Sequence, residues 1–169
     1  VNNTASDSDL PANGLGYTLT VFPPGATIST NGIITWTLTE VQGNTTNTFT
    51  TVVTDTNLAA VNPQNLTATN TFSVIVNEIN LAPVLTLPPS VAINELVPYA
   101  NTATATDADA PANPLVFALV FGPAGLTVSS AGAIAWTPTE AQGPGVYPVQ
   151  IQVTDTNPLA VNATSLSVT

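Results

Sequence analysis

The 169-residue chain contains no lysine, arginine, histidine, cysteine or methionine. Each absence removes a class of chemistry. Without His, Cys or Lys the usual general bases, activated nucleophiles and Schiff-base formers are missing, so the chain is not expected to be an enzyme. Without Lys or Arg there is no phosphate clamp and no counterion release, which argues against nucleic acid as a partner. An anionic membrane surface would repel the chain. Zinc, copper and iron sites draw on His and Cys, so only hard-cation sites built from oxygen ligands remain. The longest apolar run, Leu115 to Phe121, is far short of the ~20 residues that span a bilayer, and membrane insertion is not expected. No basic leader opens the sequence at Val1, which therefore reads as a mature product or an excised fragment.

What is present is acidic, apolar and repetitive. Ten Asp and Glu residues give a net charge of −10, while 44% of the residues are hydrophobic. A shift of 100 residues aligns positions 1–62 with 101–162 without a gap, with 29 identities in those 62 positions. Asp7-Ser-Asp9 through Asn13 matches Asp107-Ala-Asp109 through Asn113. Ile34-Thr-Trp36 through Gly43 matches Ile134-Ala-Trp136 through Gly143, and Val53-Thr-Asp55-Thr-Asn57 matches Val153-Thr-Asp155-Thr-Asn157. Beyond that point the first repeat is expected to carry about six extra residues near Pro63 to Asn70, with Phe72-Ser-Val74 then aligning with Leu166-Ser-Val168.

The hydrophobic period within each repeat is two. Leu15, Tyr17, Leu19 and Val21 alternate with small or polar residues, as do Leu115, Phe117, Leu119 and Phe121. Phe72, Val74 and Val76 alternate likewise, and so do Val149, Ile151 and Val153. This is the pattern of half-buried strands, punctuated by Pro-Pro-Gly, Asn-Gly and Ala-Gly turns. The expected fold is all-β, two tandem immunoglobulin-like Greek-key sandwiches, with domains at 1–79 and 80–169. Trp36 and Trp136 occupy equivalent places and read either as core plugs or as carbohydrate-stacking platforms.

Asn80-Leu-Ala-Pro83, Ile93-Asn-Glu95, Ala105-Thr-Asp107-Ala-Asp109, Asn113 and Val153-Thr-Asp155 resemble the cadherin repeat in order and spacing. The segment from Gly132 through Trp136 to Glu140 is similar to the dystroglycan-type cadherin-like and "putative Ig" repeats of bacterial secreted surface proteins. That resemblance implies Ca²⁺ held at junctions between consecutive domains. It implies ligands from Glu95, from Glu40 and Glu140, from the linker pair Glu78 and Asn80, from Asp7 with Asp9 and Asp107 with Asp109, and from Asp55 and Asp155. Asn13 and Asn113 fall where the family lends a backbone carbonyl.

These assignments use all ten acidic residues of a chain that has no cation to pair with any of them. Solvated surface acids are the simpler reading, but they give no reason for the acids to recur at repeated positions. Leu81, Leu38 and Pro138 stand where adhesive cadherins carry further acids, which argues against a full three-ion cluster. The expected arrangement is one site from Asn80, Asp107, Asp109, Asn113 and Asp155, with a second near Glu40 and Glu78.

Nothing in the first repeat corresponds to residues 80–100, so its first strand is expected to be missing. Either the sequence is a window on a longer array, or the first domain is completed by a strand donated from an identical subunit. Asn-x-Ser/Thr sequons at Asn2, Asn44, Asn65 and Asn162 mark candidate glycosylation acceptors. The expected function is an extracellular structural or adhesive repeat protein, a cell-surface stalk or filament subunit. Its partners are neighbouring repeats or identical subunits, and its junctions are stiffened by Ca²⁺. A carbohydrate- or protein-binding module of a secreted protein is the alternative.

Overall fold

The computed structural model describes residues 1–9, 13–61, 64–163 and 165–169. The Pro11 of the first acidic motif and Pro63 lie outside the described residues. The chain divides into two compact units, Val1–Asn77 and Glu78–Thr169. Among the described residues only strands and single-turn 3-10 helices form, and no helix is long and apolar enough to cross a membrane.

Unit 1 contains β1 (Leu15–Val21), β2 (Ala26–Ile28), β3 (Ile34–Trp36), β4 (Thr45–Thr56) and β5 (Asn65–Val76). One antiparallel sheet runs β1-β4-β5, and β2 pairs with β3. The N-terminal residues lie along β3: Ile34 N donates to Val1 O at 2.9 Å and Asn3 N to Gly32 O at 3.0 Å. That close approach requires glycine at position 32. Its φ is +78°, and a Cβ there would sit 2.6 Å from the carbonyl oxygen of Asn3. Ala26, Ile34 and Phe49 form the buried core, with Trp36, Phe72 and Val74 packed on it. Phe49 stacks on Phe72 at 5.1 Å and meets Trp36 edge-on at 5.5 Å.

Unit 2 repeats the plan with three further strands, β6 (Val84–Thr86), β7 (Tyr99–Thr102) and β8 (Thr104–Thr106), before it. It continues with β9 (Val116–Phe121), β10 (Thr127–Val128), β11 (Ala133–Trp136), β12 (Gln150–Thr156) and β13 (Ser165–Val168). Sheets run β13-β12-β9 and β10-β11-β7, and β6 pairs with β8. The counterpart of β8 in unit 1, residues 4–6, forms no strand. The core here is Ala103, Phe117, Leu126, Ile134, Ile151 and Val153, with Trp136 and Tyr99 packed against it. Both tryptophans plug the rim of a core. Trp36 Nε1 donates to Pro24 O and Trp136 Nε1 to Ala124 O, at 3.1 and 3.2 Å. A half-buried ring packed on a core, with its one donor satisfied, is a packed residue rather than a free platform.

Two sequence expectations are corrected by strand register. Asp55 faces Leu66 across β4 and β5, and Asp155 faces Leu166 across β12 and β13. The 100-residue offset therefore continues through Leu166, with no six-residue excess in the first repeat. The match of Phe72-Ser-Val74 to Leu166-Ser-Val168 was a local coincidence of period-two strands, which align at any even shift. The alternation in β1 and β9 also fails at its last member. Register shifts between Leu19 and Val21, and opposite Phe121 between Gln150 and Ile151. These irregularities leave Val21 and Phe121 50% and 57% exposed rather than inward.

Candidate metal centre

The acidic residues of unit 2 are gathered by its loops. Asp107 and Asp109 follow β8, and Asp155 lies near the end of β12. Glu78 and Asn80 open the unit, where Glu78 bridges to Ala160 and its carbonyl accepts from Val161 N at 2.9 Å. Asp107, Asp109 and Asp155 each bring a carboxylate oxygen within 4.8 Å of the others. Asp155 is 0% exposed, Asn80 2%, Glu78 3% and Asp109 5%. Three carboxylates at this spacing, with no cationic side chain in the sequence, repel one another in a medium poorer than water at screening them.

Neutral amides hold the cluster together. Asn80 Nδ2 donates to Asp155 Oδ1 at 2.9 Å, and Asn113 Nδ2 to Asp109 Oδ2 at 3.0 Å. The backbone of Leu81 donates to Asp109 Oδ1 at 3.0 Å, and that of Asp109 to Asp107 Oδ1 at 2.9 Å. Asn157 Nδ2 reaches Glu78 Oε1 at 3.0 Å and Asp109 Oδ2 at 3.3 Å. The Asn162 side chain brackets the backbone of Asn80, accepting from its N–H at 2.8 Å and donating to its carbonyl at 2.9 Å.

In this cluster of unit 2, among the described residues, three buried oxygens are left without a hydrogen-bond partner: Asp107 Oδ2, Asp155 Oδ2 and Asn80 Oδ1. All three are acceptors, so another acceptor cannot satisfy them, whereas a hard cation is suited to such oxygens. Burial pushes the Asp155 carboxyl above the usual carboxylate range. The Asn80 amide opposes that shift, and the charges of Asp107 and Asp109 add to it.

Unit 1 repeats the motif in a more open form. Asp7, Asp9 and Asp55 also bring oxygens within 4.8 Å of one another. Asp9 N donates to Asp7 Oδ1 at 3.1 Å, and Asn57 Nδ2 to Asp9 Oδ2 at 3.4 Å. Burial raises the Asp55 carboxyl above its ordinary range, the charges of Asp7 and Asp9 raise it further, and the Asn13 amide lowers it.

Of the remaining sequence-predicted ligands, Glu40 and Glu140 each open a single-turn 3-10 helix capped by Thr39 and Thr139. Glu95 packs against Gly143. Glu95 and Glu140 belong to neither Asp triad. Asn113 contributes its side chain to the cluster. Asn57 and Asn157 were not among the predicted ligands, although both stand inside the repeated Val-Thr-Asp-Thr-Asn motif, and that repetition was the available signal. Asn162 entered the sequence reading only as a sequon. Its side-chain amide is tied to Asn80, and Thr164 of that sequon lies outside the described residues. The other sequon residues, Asn2, Asn44 and Asn65, are exposed.

These features define an immunoglobulin-type β-sandwich repeat protein. The family model described as "Putative Ig domain" matches residues 82–169, and the chain belongs to that family. No curated protein matches it. Among solved structures it is similar to mouse cadherin-23 EC22-24, with a TM-score of 0.55 and 21% identity over 97% of this chain and 54% of that one. It is also similar to protocadherin gammaB7 EC3-6, solved as a cis-dimer, with a TM-score of 0.50 and 15% identity over 92% of this chain and 41% of that one. The chain thus spans about half the length of the solved structures it matches, and at these identities the likeness is one of fold.

Proposed function

We propose that this chain is part of an extracellular structural or adhesive repeat protein, a stalk or filament, whose acidic clusters hold Ca²⁺ and stiffen the chain between consecutive repeats. The observation that carries this reading is the triad of half-buried Asp107 with buried Asp109 and Asp155, with acceptor oxygens left over and no cationic side chain in the sequence. Asp107, Asp109, Asp155 and Asn80 would hold the ion. Bound there, Ca²⁺ supplies charge neutralisation and a shared anchor for the loop after β8, the end of β12 and the segment that opens unit 2. The equivalent Asp7, Asp9 and Asp55 would form a weaker site, being less enclosed. Glu40 and Glu78 as further ligands, and Glu95 and Glu140 as ligands of a following junction, rest on the cadherin resemblance.

The chemistry suits an extracellular setting, where sites of this type work at dissociation constants of about 10⁻⁴–10⁻³ M. No catalytic role is assigned. Neighbouring repeats or identical subunits are the proposed partners, with a strand donated into unit 1 as one mode of joining. The test is a pair of thermal melts, in chelator and in millimolar calcium, alongside small-angle scattering. Calcium should raise the melting temperature and narrow the distribution of lengths. Identical melts and scattering in the two conditions would defeat the calcium reading.

A further inference from the structure

An Asn-Gly step is a weak point in a polypeptide, because the glycine nitrogen, with no Cβ beside it, can reach the side-chain amide carbon of the asparagine before it. The sequence has two such steps, Asn13-Gly14 and Asn31-Gly32. At the equivalent positions of unit 2 both are gone: Pro114 follows Asn113, and Ala131 precedes Gly132. Proline has no N–H with which to attack. The fold then separates the two steps of unit 1. Gly32 N donates to Ser29 O at 3.0 Å, and the Gly32 carbonyl accepts from Asn3 N at 3.0 Å and from Asn3 Nδ2 at 3.1 Å. That nitrogen is committed to a turn and must give up its bond before it can react.

Asn13-Gly14 lies just before β1 and outside any strand. Gly14 is exposed, and a Cβ there would meet no heavy atom within 4 Å. Among the described residues its N–H makes no hydrogen bond. The amide that would depart is equally unheld. Asn13 Nδ2 is buried without a partner, close enough to Asp55 to lower that carboxyl yet short of a hydrogen bond. Its counterpart in unit 2, Asn113 Nδ2, is held by Asp109 Oδ2 at 3.0 Å.

We propose that Asn13 is a site of spontaneous deamidation, selective within this chain, that adds a further carboxylate to the Asp7, Asp9 and Asp55 cluster of unit 1. The Gly14 nitrogen bonds to Asn13 Cγ, the Cγ–Nδ2 bond breaks, and ammonia leaves with the proton the nitrogen gives up. Water then opens the cyclic imide. Attack at Cγ yields aspartate on an unaltered backbone, and attack at the main-chain carbonyl yields isoaspartate, with the chain rerouted through the side chain. Nothing is oxidised or reduced, and water is the one co-reactant. The aspartate product puts a negative charge beside Asp55 where an uncharged amide stood. Its consequence for metal binding rests on the calcium reading: ligand charge sets the affinity of such oxygen sites, so the product holds the ion more tightly. The cluster of unit 2 has no equivalent route, since Pro114 closes it.

The experiment ages the intact protein in chelator at mildly alkaline pH, folded and in concentrated urea, and follows each asparagine by chymotryptic peptide mapping with mass spectrometry. In urea the two Asn-Gly steps should react at similar rates. In the folded protein Asn13 should outrun Asn31 by about tenfold or more, with Asn113 left intact. Gly14→Ala, for which the structure has room, should slow Asn13 by about tenfold without lowering the melting temperature. An unreacted Asn13 overturns the proposal, and so does a ratio of Asn13 to Asn31 no greater in the folded protein than in urea. Calorimetric calcium titration of wild type and Asn13→Asp reads the consequence, with a dissociation constant about tenfold lower expected for the variant. Equal constants overturn the added ligand. Deamidation mapped to Asn13 with no calcium bound by either protein overturns the calcium reading and supports the modification.

Discussion

Replacing Asp155 by asparagine should change the sign of its effect with the ionic medium. The side chain is fully buried, and one of its oxygens already accepts from Asn80 at 2.9 Å. The other, Oδ2, has no partner and stands among carboxylates within 4.8 Å. Two unit charges at that separation repel by about 3.5 kcal/mol at an effective dielectric near 20, and Asp155 faces two of them. Side-chain displacement and dissolved salt remove much of this, and the wild-type carboxyl relieves part by holding its proton more firmly. Asparagine removes the charge and turns an acceptor facing acceptors into a donor, a contact worth about 1 kcal/mol. A net gain of roughly 2 kcal/mol is expected for Asp155→Asn in chelator. For a domain of this size that raises the melting temperature by about 8–16 °C.

Calcium should reverse the order. At a hundredfold excess over the dissociation constant a bound ion stabilises the wild type by about 2.7 kcal/mol, and the variant, lacking a ligand, gains little. The assay is differential scanning calorimetry of both proteins in chelator and across a calcium titration. A variant less stable than wild type in chelator would refute the repulsion argument. A variant that gains as much from calcium as the wild type does would refute the assignment of Asp155 as a ligand.

Three further outcomes follow from the same geometry. Because Asp55 and Asp155 both have raised folded-state affinity for protons, the chelated protein should be most stable below the ordinary Asp range near 3.8. It should lose that stability as pH rises through the raised folded values, with calcium flattening the dependence; urea midpoints across pH check this. Phe49→Ala empties a site 2% exposed and stacked on Phe72, and should cost about 3–5 kcal/mol, whereas Val149→Ala at the half-open counterpart should cost under about 1 kcal/mol. Equal losses in denaturant melts would contradict the difference in burial between the two positions. Asn157→Ala leaves Glu78 Oε1 and Asp109 Oδ2 short of a donor and should cost about 1–3 kcal/mol, measured in the same melts.

Much of the fold could be read directly because a strand advertises itself twice, by period and, here, by repetition. The pairs Trp36 and Trp136, Asp55 and Asp155 and the two Asp-x-Asp motifs fall at equivalent places, and the structure gathers one triad in each unit. What escaped was anything decided by a single residue of register. A bulge near Leu19 turns Val21 outward without leaving a mark on the alternation. Phe72-Ser-Val74 resembles Leu166-Ser-Val168 because all strands of this kind resemble each other, and only hydrogen-bonded pairing distinguishes the partner. The amide scaffold was partly hidden for a different reason. In a chain so rich in asparagine, Asn157 and Asn162 carry no compositional signal, and their roles follow from distances of about 3 Å that no spacing rule encodes.

That scaffold has a consequence for how the protein meets its surroundings. A lysine or arginine in the cluster would cancel the charge permanently, and the fold would then be indifferent to the water around it. Asparagine fixes the carboxylates in place and leaves their charge intact. On the proposed calcium reading, the balancing charge comes from the ions of the medium. On that reading the stability of unit 2 is a property of protein and solution together, and it varies with the ions present without any alteration of the chain.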